Sequence, residues 1–206
     1  KGYSVYGLEV NPSRANYIKN ILNIKCINTS IENWDSNNKF DIIYHSDVIS
    51  HFYDPFSIFK KINKNLNNDG YIVFKTGNIA DYNKKFYNLI TSYHFPGHLY
   101  FFTENNLLTL LEKNGFKICS IYRRSDIFSL LTLKIWHLIR NRRSVIEKKN
   151  KSELKGNNLR LTGTNFKSLF FGIIKIGEII FGRLFILKGW PQNLLIIGKK
   201  ISSNDD

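Results

Sequence analysis

Residues 39–55 read KFDIIYHSDVISHFYDP. Within them Asp41–Ser46 (DIIYHS) is a short apolar run entered through Phe40-Asp41, and it reads as a β-strand. Asp54-Pro55 then opens a helix, with proline at home in a first helical turn. The spacing predicts an apolar face made of Phe56, Phe59, Ile62 and Leu66. Asn68-Asp69-Gly70 marks a tight turn, and Tyr71–Lys75 (YIVFK) is the next strand.

The same alternation continues on both sides. Upstream, Tyr3–Val10 (YSVYGLEV) is a β-rich run ending beside an acid, and Asn11-Pro12-Ser13 starts a helix. Arg14–Leu22 has helical spacing, with Ala15, Ile18 and Leu22 on one face. Lys25–Asn28 is a short strand, and Ser30–Asp35 a loop or single turn. Downstream, Thr103–Asn114 is a helix capped by Thr103 and closed by Gly115, and Lys117–Tyr122 is a strand. Leu194–Gly198 (LLIIG) is the last strand and is expected to pair beside 117–122. The chain therefore predicts an α/β fold, a mostly parallel sheet with crossover helices.

Composition narrows the classes. The chain has 206 residues, 43% of them hydrophobic, so it can bury a core and is not a disordered tail. Its two cysteines, Cys26 and Cys119, have no paired spacing, which argues against a disulfide framework or a cysteine zinc site and for a reducing, cytoplasmic setting. The net charge of +14 suggests nucleic acid at first sight. Lys, Ile and Asn make up about a third of the chain, however, a bias typical of AT-rich coding sequence. The charge is also uneven: residues 1–120 carry a net +3 and residues 121–206 a net +11. The basic stretch has few interleaved aromatics to stack on bases, so nucleic acid is an unfavoured partner.

Residues 124–190 differ from the rest. Ile127–Leu138 is strongly apolar and is followed by Arg140, Arg142 and Arg143. Residues 144–165 are polar and basic. Residues 166–187 are apolar and about long enough to cross a bilayer, but Lys175, Glu178 and Arg183 interrupt them. The stretch reads as a helical insertion: a cap over substrate, or an element lying on the inner face of a membrane. Three segments follow: 1–123 as a partial core, 124–190 as the basic, apolar insertion, and 191–206 as the last core strand and tail.

Four local patterns in this order resemble the class I S-adenosylmethionine-dependent methyltransferases that act on small molecules. GYSVYGLEVNP resembles their second strand, KFDIIYHSDVISHFYDP their fourth strand and following loop, NKNLNNDGYIVFKTGN the next helix–turn–strand unit, and HFPGHLYFFTENNLLTLLEKNGFKI the segment before their last helix. The resemblance implies a Rossmann-like fold lacking its first strand. The family's glycine-rich loop would lie before Lys1, so a chain truncated there is expected to bind cofactor poorly.

The resemblance also implies roles for named residues. Glu9 would accept hydrogen bonds from the cofactor ribose, with Asn11 beside it. Ile31 and Glu32 would flank the adenine, and Tyr44, His45 and Ser46 would line the channel of the moving methyl group. For each there is a plainer reading: a helix-capping acid, an ordinary loop, a core histidine. His51 and His98 are the candidates for proton transfer, with His94 a third. Some members hold magnesium with acids and a histidine at the positions of Asp47, Ser50 and His51; serine replaces one acid here, so no metal is expected. Phe95, Tyr100, Phe101, Phe102 and Tyr53 are either an aromatic wall for an acceptor or simple packing. The expected activity is methyl transfer to a small or lipid-linked acceptor. Two alternatives stand: another Rossmann-like nucleotide enzyme, or a non-catalytic scaffold of the same fold at a membrane surface.

Overall fold

The computed structural model describes residues 2–89, 97–125 and 192–201, together with the isolated positions 134, 172, 176, 180, 186, 189 and 190. In chain order the elements are β1 (Tyr6–Leu8), α1 (Pro12–Asn20), β2 (Lys25–Ile27), β3 (Phe40–Ser46), α2 (Pro55–Asn65), β4 (Leu66–Gly77), α3 (Glu104–Lys113), β5 (Phe116–Ser125) and β6 (Gln192–Lys200). The insertion expected at 124–190 lies almost wholly outside the described residues, as do His94 and Phe95.

Each helix starts where its sequence supplies an acceptor. The Asn11 side chain caps α1 by accepting from the Arg14 N–H, and Asp54 does the same for α2 at Ser57. Thr103 and Asn106 form a reciprocal capping box on α3. Gly115 follows α3 at φ +76°, a conformation that costs glycine little.

Two predicted faces shift. Helix α1 ends at Asn20, and Leu22 lies beyond it, exposed, because Asn23 turns the chain with φ 52°. On α2 it is Ile58, not Phe56, that joins Phe59 and Ile62 in the core; Phe56 is half exposed on the neighbouring face. Strand β4 begins five residues before the predicted Tyr71. Asp69 takes φ 62°, and the register against β3 jumps from Phe40↔Leu66 to Ile42↔Tyr71. Gly70 is needed in this bulge, since a Cβ there would sit 2.9 Å from the Asn67 carbonyl oxygen.

The strands form two sheets. β1 pairs in parallel with β2; the larger sheet has the order β3-β4-β6-β5, with β3 parallel to β4 and β6 antiparallel to both its neighbours. The predicted pairing of the last strand beside 117–122 is therefore present, with Ile121 opposite Ile196. β6 alternates buried and half-buried positions with period two, as expected of a strand covered mainly on one face. Phe59 and Ile62 of α2, Leu107 and Leu111 of α3, Ile72 and Phe74 of β4, Phe116 of β5, and Leu194 and Ile196 of β6 are fully buried together. Each such side chain contributes roughly 1.5–3 kcal/mol of transfer free energy. This layer fixes the larger sheet, and its strand ends carry the site.

Candidate functional site

A cavity of about 720 Å³ opens between the two sheets. β1 and β3 are both edge strands, and both line it. Near the strand starts its wall includes Tyr6 and Phe40, whose rings meet edge to face at 5.7 Å. Its other end is formed by the carboxyl ends of the strands and the loops after them: Glu9, Ser30–Glu32, Ser46 and His51. In open parallel sheets this is where ligands bind, because consecutive loops diverge there and leave a crevice.

Glu9 is half-buried at the tip of β1. One of its carboxylate oxygens accepts from the Asn11 N–H at 2.9 Å, and its own N–H donates to the Ile27 carbonyl. The Asn28 side chain donates to the carbonyls of both Glu9 and Val10, at 2.8 and 3.1 Å. In the sequence Asn28 is only the end of a short strand, yet it fixes the backbone that aims Glu9. Asn11 belongs to the helix cap, and its side chain is engaged there.

Ile31 and Glu32 lie in the cavity wall, in a turn closed by the Trp34 N–H on the Ser30 carbonyl at 2.9 Å. Tyr44, His45 and Ser46 also line the cavity, so the structure brings together the predicted strand-end residues with the exception of Asn11. Ser46 donates to Asp47 at 2.8 Å, and Asp47 pairs with Lys75 at 3.5 Å. Asp47 itself holds φ 54°, a left-handed conformation that aspartate tolerates better than most residues.

His45 is enclosed by aromatics. Its ring stacks on Phe74 at 5.0 Å and meets Phe52 and Phe59 edge-on at 5.9 and 6.0 Å. Both ring nitrogens are buried without a hydrogen-bond partner among the described residues. Burial lowers its pKa to about 4, against the opposing pull of Asp47, so the ring is neutral near pH 7.

The loop after β3 is tied to the segment before α3. The Ser50 carbonyl accepts from the N–H groups of Leu99 and Tyr100, and the Tyr100 hydroxyl donates to the Tyr53 carbonyl at 2.9 Å. These bonds bring His51 and His98 together, with ring centroids 4.5 Å apart. His51 Nδ1 lies against the Gly97 carbonyl oxygen. A carbonyl can only accept, so Nδ1 carries the proton and the neutral ring keeps its lone pair on Nε2. His98 stacks on Phe101 at 6.5 Å and borders a smaller pocket with Ser50 and Tyr100. Among the described residues no group of three or more His, Cys, Asp or Glu is placed to hold a metal ion.

A Rossmann-like sheet with these tips around one crevice, and an antiparallel strand inserted near its far edge, is the fold of class I S-adenosylmethionine-dependent methyltransferases. The profile of the methyltransferase domain family matches residues 1–121, and the chain belongs to that family. Solved structures agree in fold. A putative sarcosine dimethylglycine methyltransferase from Galdieria sulphuraria superposes with a TM-score of 0.57 at 15% identity, covering 97% of this chain and 71% of that one. A coclaurine N-methyltransferase bound to N-methylheliamine and S-adenosylhomocysteine gives 0.55 at 15% identity, covering 95% and 60%. A mycolic acid cyclopropane synthase complexed with S-adenosylhomocysteine and CTAB gives 0.56 at 16% identity, covering 96% and 70%. No curated protein matches the chain in sequence.

Proposed function

We propose that this chain is the catalytic module of an S-adenosylmethionine-dependent methyltransferase that acts on a small or lipid-linked acceptor. The observation that carries the reading is the convergence of Glu9, the Ser30–Glu32 turn and Ser46 on one cavity, with His51 at its rim. The residues suit the cofactor chemically. Glu9 offers carboxylate oxygen to ribose hydroxyls, and charge-assisted bonds of this kind are the stronger ones. Ile31 offers an apolar surface to the base, and Glu32 an acceptor to its amine.

Bound there, S-adenosylmethionine supplies a methyl group already activated on a sulfonium centre. What remains for the protein is orientation, which alone is worth roughly 7–11 kcal/mol of a barrier. A proton must also leave a hydroxyl or ammonium acceptor. His51 Nε2 is the atom to receive it, because the Gly97 carbonyl holds the other ring nitrogen in its protonated form. His98 braces that ring from the side. His45, apolar in its setting, shapes the wall.

The coclaurine methyltransferase was solved with a small amine, which supports a small-molecule acceptor. Ile176 and Ile180 are helical, one turn apart and both more than half exposed, which supports an apolar surface for a lipid-linked one. No helix among the described residues is long and apolar enough to cross a membrane.

Calorimetry on the chain joined to an upstream glycine-rich segment tests the reading. Heat on titration with S-adenosylhomocysteine and none with NAD is expected. The reverse result would assign the crevice to a nicotinamide enzyme, and no heat with either would favour a scaffold.

A further inference from the structure

We infer that Lys61, far from the chemistry on α2, is the positioning residue for recognition of the cofactor's base. Its ammonium donates to three acceptors of one loop: the carbonyls of Ile31 at 3.1 Å, Glu32 at 2.6 Å and Trp34 at 3.0 Å. An ammonium has three N–H donors, so the match is complete. Bonds from a charged donor are also stronger than neutral ones. Lys61 is partly buried.

Other contacts close the loop's turn and pack its side chains. Its own turn is closed by the Trp34 N–H on Ser30, with a longer 3.3 Å bond from the Asn33 N–H to the Ser30 hydroxyl. Ile31 packs on the core, and the Trp34 ring leans on Phe40 at 6.1 Å. These contacts close the turn and seat its side chains; Lys61 holds the carbonyls of Ile31, Glu32 and Trp34. The same three residues form part of the cavity wall. A ligand base held between Ile31 and Glu32 thus meets backbone whose orientation is set from α2. The inference rests on the cofactor reading of this cavity.

The test, on the chain joined to the same upstream glycine-rich segment, compares Lys61→Met with the otherwise unaltered chain, titrated with S-adenosylhomocysteine and with S-inosylhomocysteine, which differs only at the base. Lys61→Met keeps the apolar stem and removes every donor. We expect affinity for the adenosyl ligand to fall about tenfold and for the inosyl ligand less than twofold, so that discrimination between them shrinks. Hydrogen exchange at the amides of 31–34 should quicken without ligand, while β4 and α3 stay protected. Lys61→Arg, still cationic, should recover most of the discrimination. Equal losses for both ligands would make Lys61 merely structural, and unchanged affinities would remove it altogether. If the unaltered chain binds neither ligand, the cofactor reading falls and this inference falls with it. Should Lys61→Met fail to fold, Lys61→Gln, which keeps two donors, is judged by the same ratio.

Discussion

The imidazoles of His51 and His98, 47 residues apart in sequence, lie with their centroids 4.5 Å apart. The Gly97 carbonyl next to His98 is also the group that sets the tautomer of His51. One short segment thereby supplies both a neighbour for the proposed base and its orientation. His51→Ala and His98→Ala are each expected to lower methyl transfer at saturating S-adenosylmethionine by about 10²-fold or more, the scale of a lost proton-transfer group or its support. Affinity for S-adenosylhomocysteine should stay within about twofold. Single-turnover assays against a panel of amine and hydroxyl acceptors measure the first quantity and calorimetry the second. Parallel losses in both would reduce the pair to loop fastening.

Glu9 makes the clearest binding prediction. Its Asn11 contact is exposed and local, so Glu9→Ala should fold normally. Affinity for S-adenosylhomocysteine should drop about tenfold, the loss of one hydrogen bond to a charged group. An unchanged dissociation constant would take Glu9 out of the site.

His45 ties stability to pH. Its pKa is about 4 in the folded chain and near 6.5 when unfolded. Below pH 6.5 the unfolded state therefore binds the extra proton, and stability falls as pH drops from 6.5 towards 4, then levels for this group. The full effect is about 3 kcal/mol. Because carboxylates also titrate in this range, the measurement is a difference. Urea unfolding of the unaltered chain and of His45→Phe between pH 4 and 7.5 should show the gap between them widening on acidification. A constant gap would mean that the ring finds a partner when protonated.

Phe74 is fully buried, stacks on His45 and meets Phe59 edge-on at 5.5 Å. Phe74→Ala should cost about 3–5 kcal/mol, since transfer and cavity costs add at such a site. Thermal or denaturant melts report it, and a loss below about 1 kcal/mol would show that the core collapses around the gap.

The insertion can be tested as a surface element. Removing 126–188, which leaves β5 whole through Ser125, should abolish co-sedimentation with vesicles rich in anionic lipid if this segment carries the membrane contact. Retained association would place the contact elsewhere in the chain.

Element types were legible in residue patterns because they follow from local chemistry. Asn11-Pro12, Asp54-Pro55 and Thr103 each announce a helix through the acceptor it needs, and Leu194–Gly198 announces a strand through a short apolar run. Boundaries were less legible. Leu22 fits the helical spacing of α1, but Asn23 turns the backbone first. Phe56 fits an apolar face as well as Ile58 does, and only the position of the sheet chooses between them.

The sequence by itself determined the order of strands and helices, the caps, and the short list of acids and histidines at strand ends, because each depends on neighbours a few residues away. The tertiary structure alone decided which of them meet. Asn28 reaches the backbone of Glu9 across 19 residues, Lys61 reaches the 31–34 loop across nearly 30, and Gly97 reaches His51 across 46. It also decided that His45 is an uncharged ring among phenylalanines. Burial and the direction of a lone pair are properties of packed neighbours, and a linear chain does not state which neighbours those are.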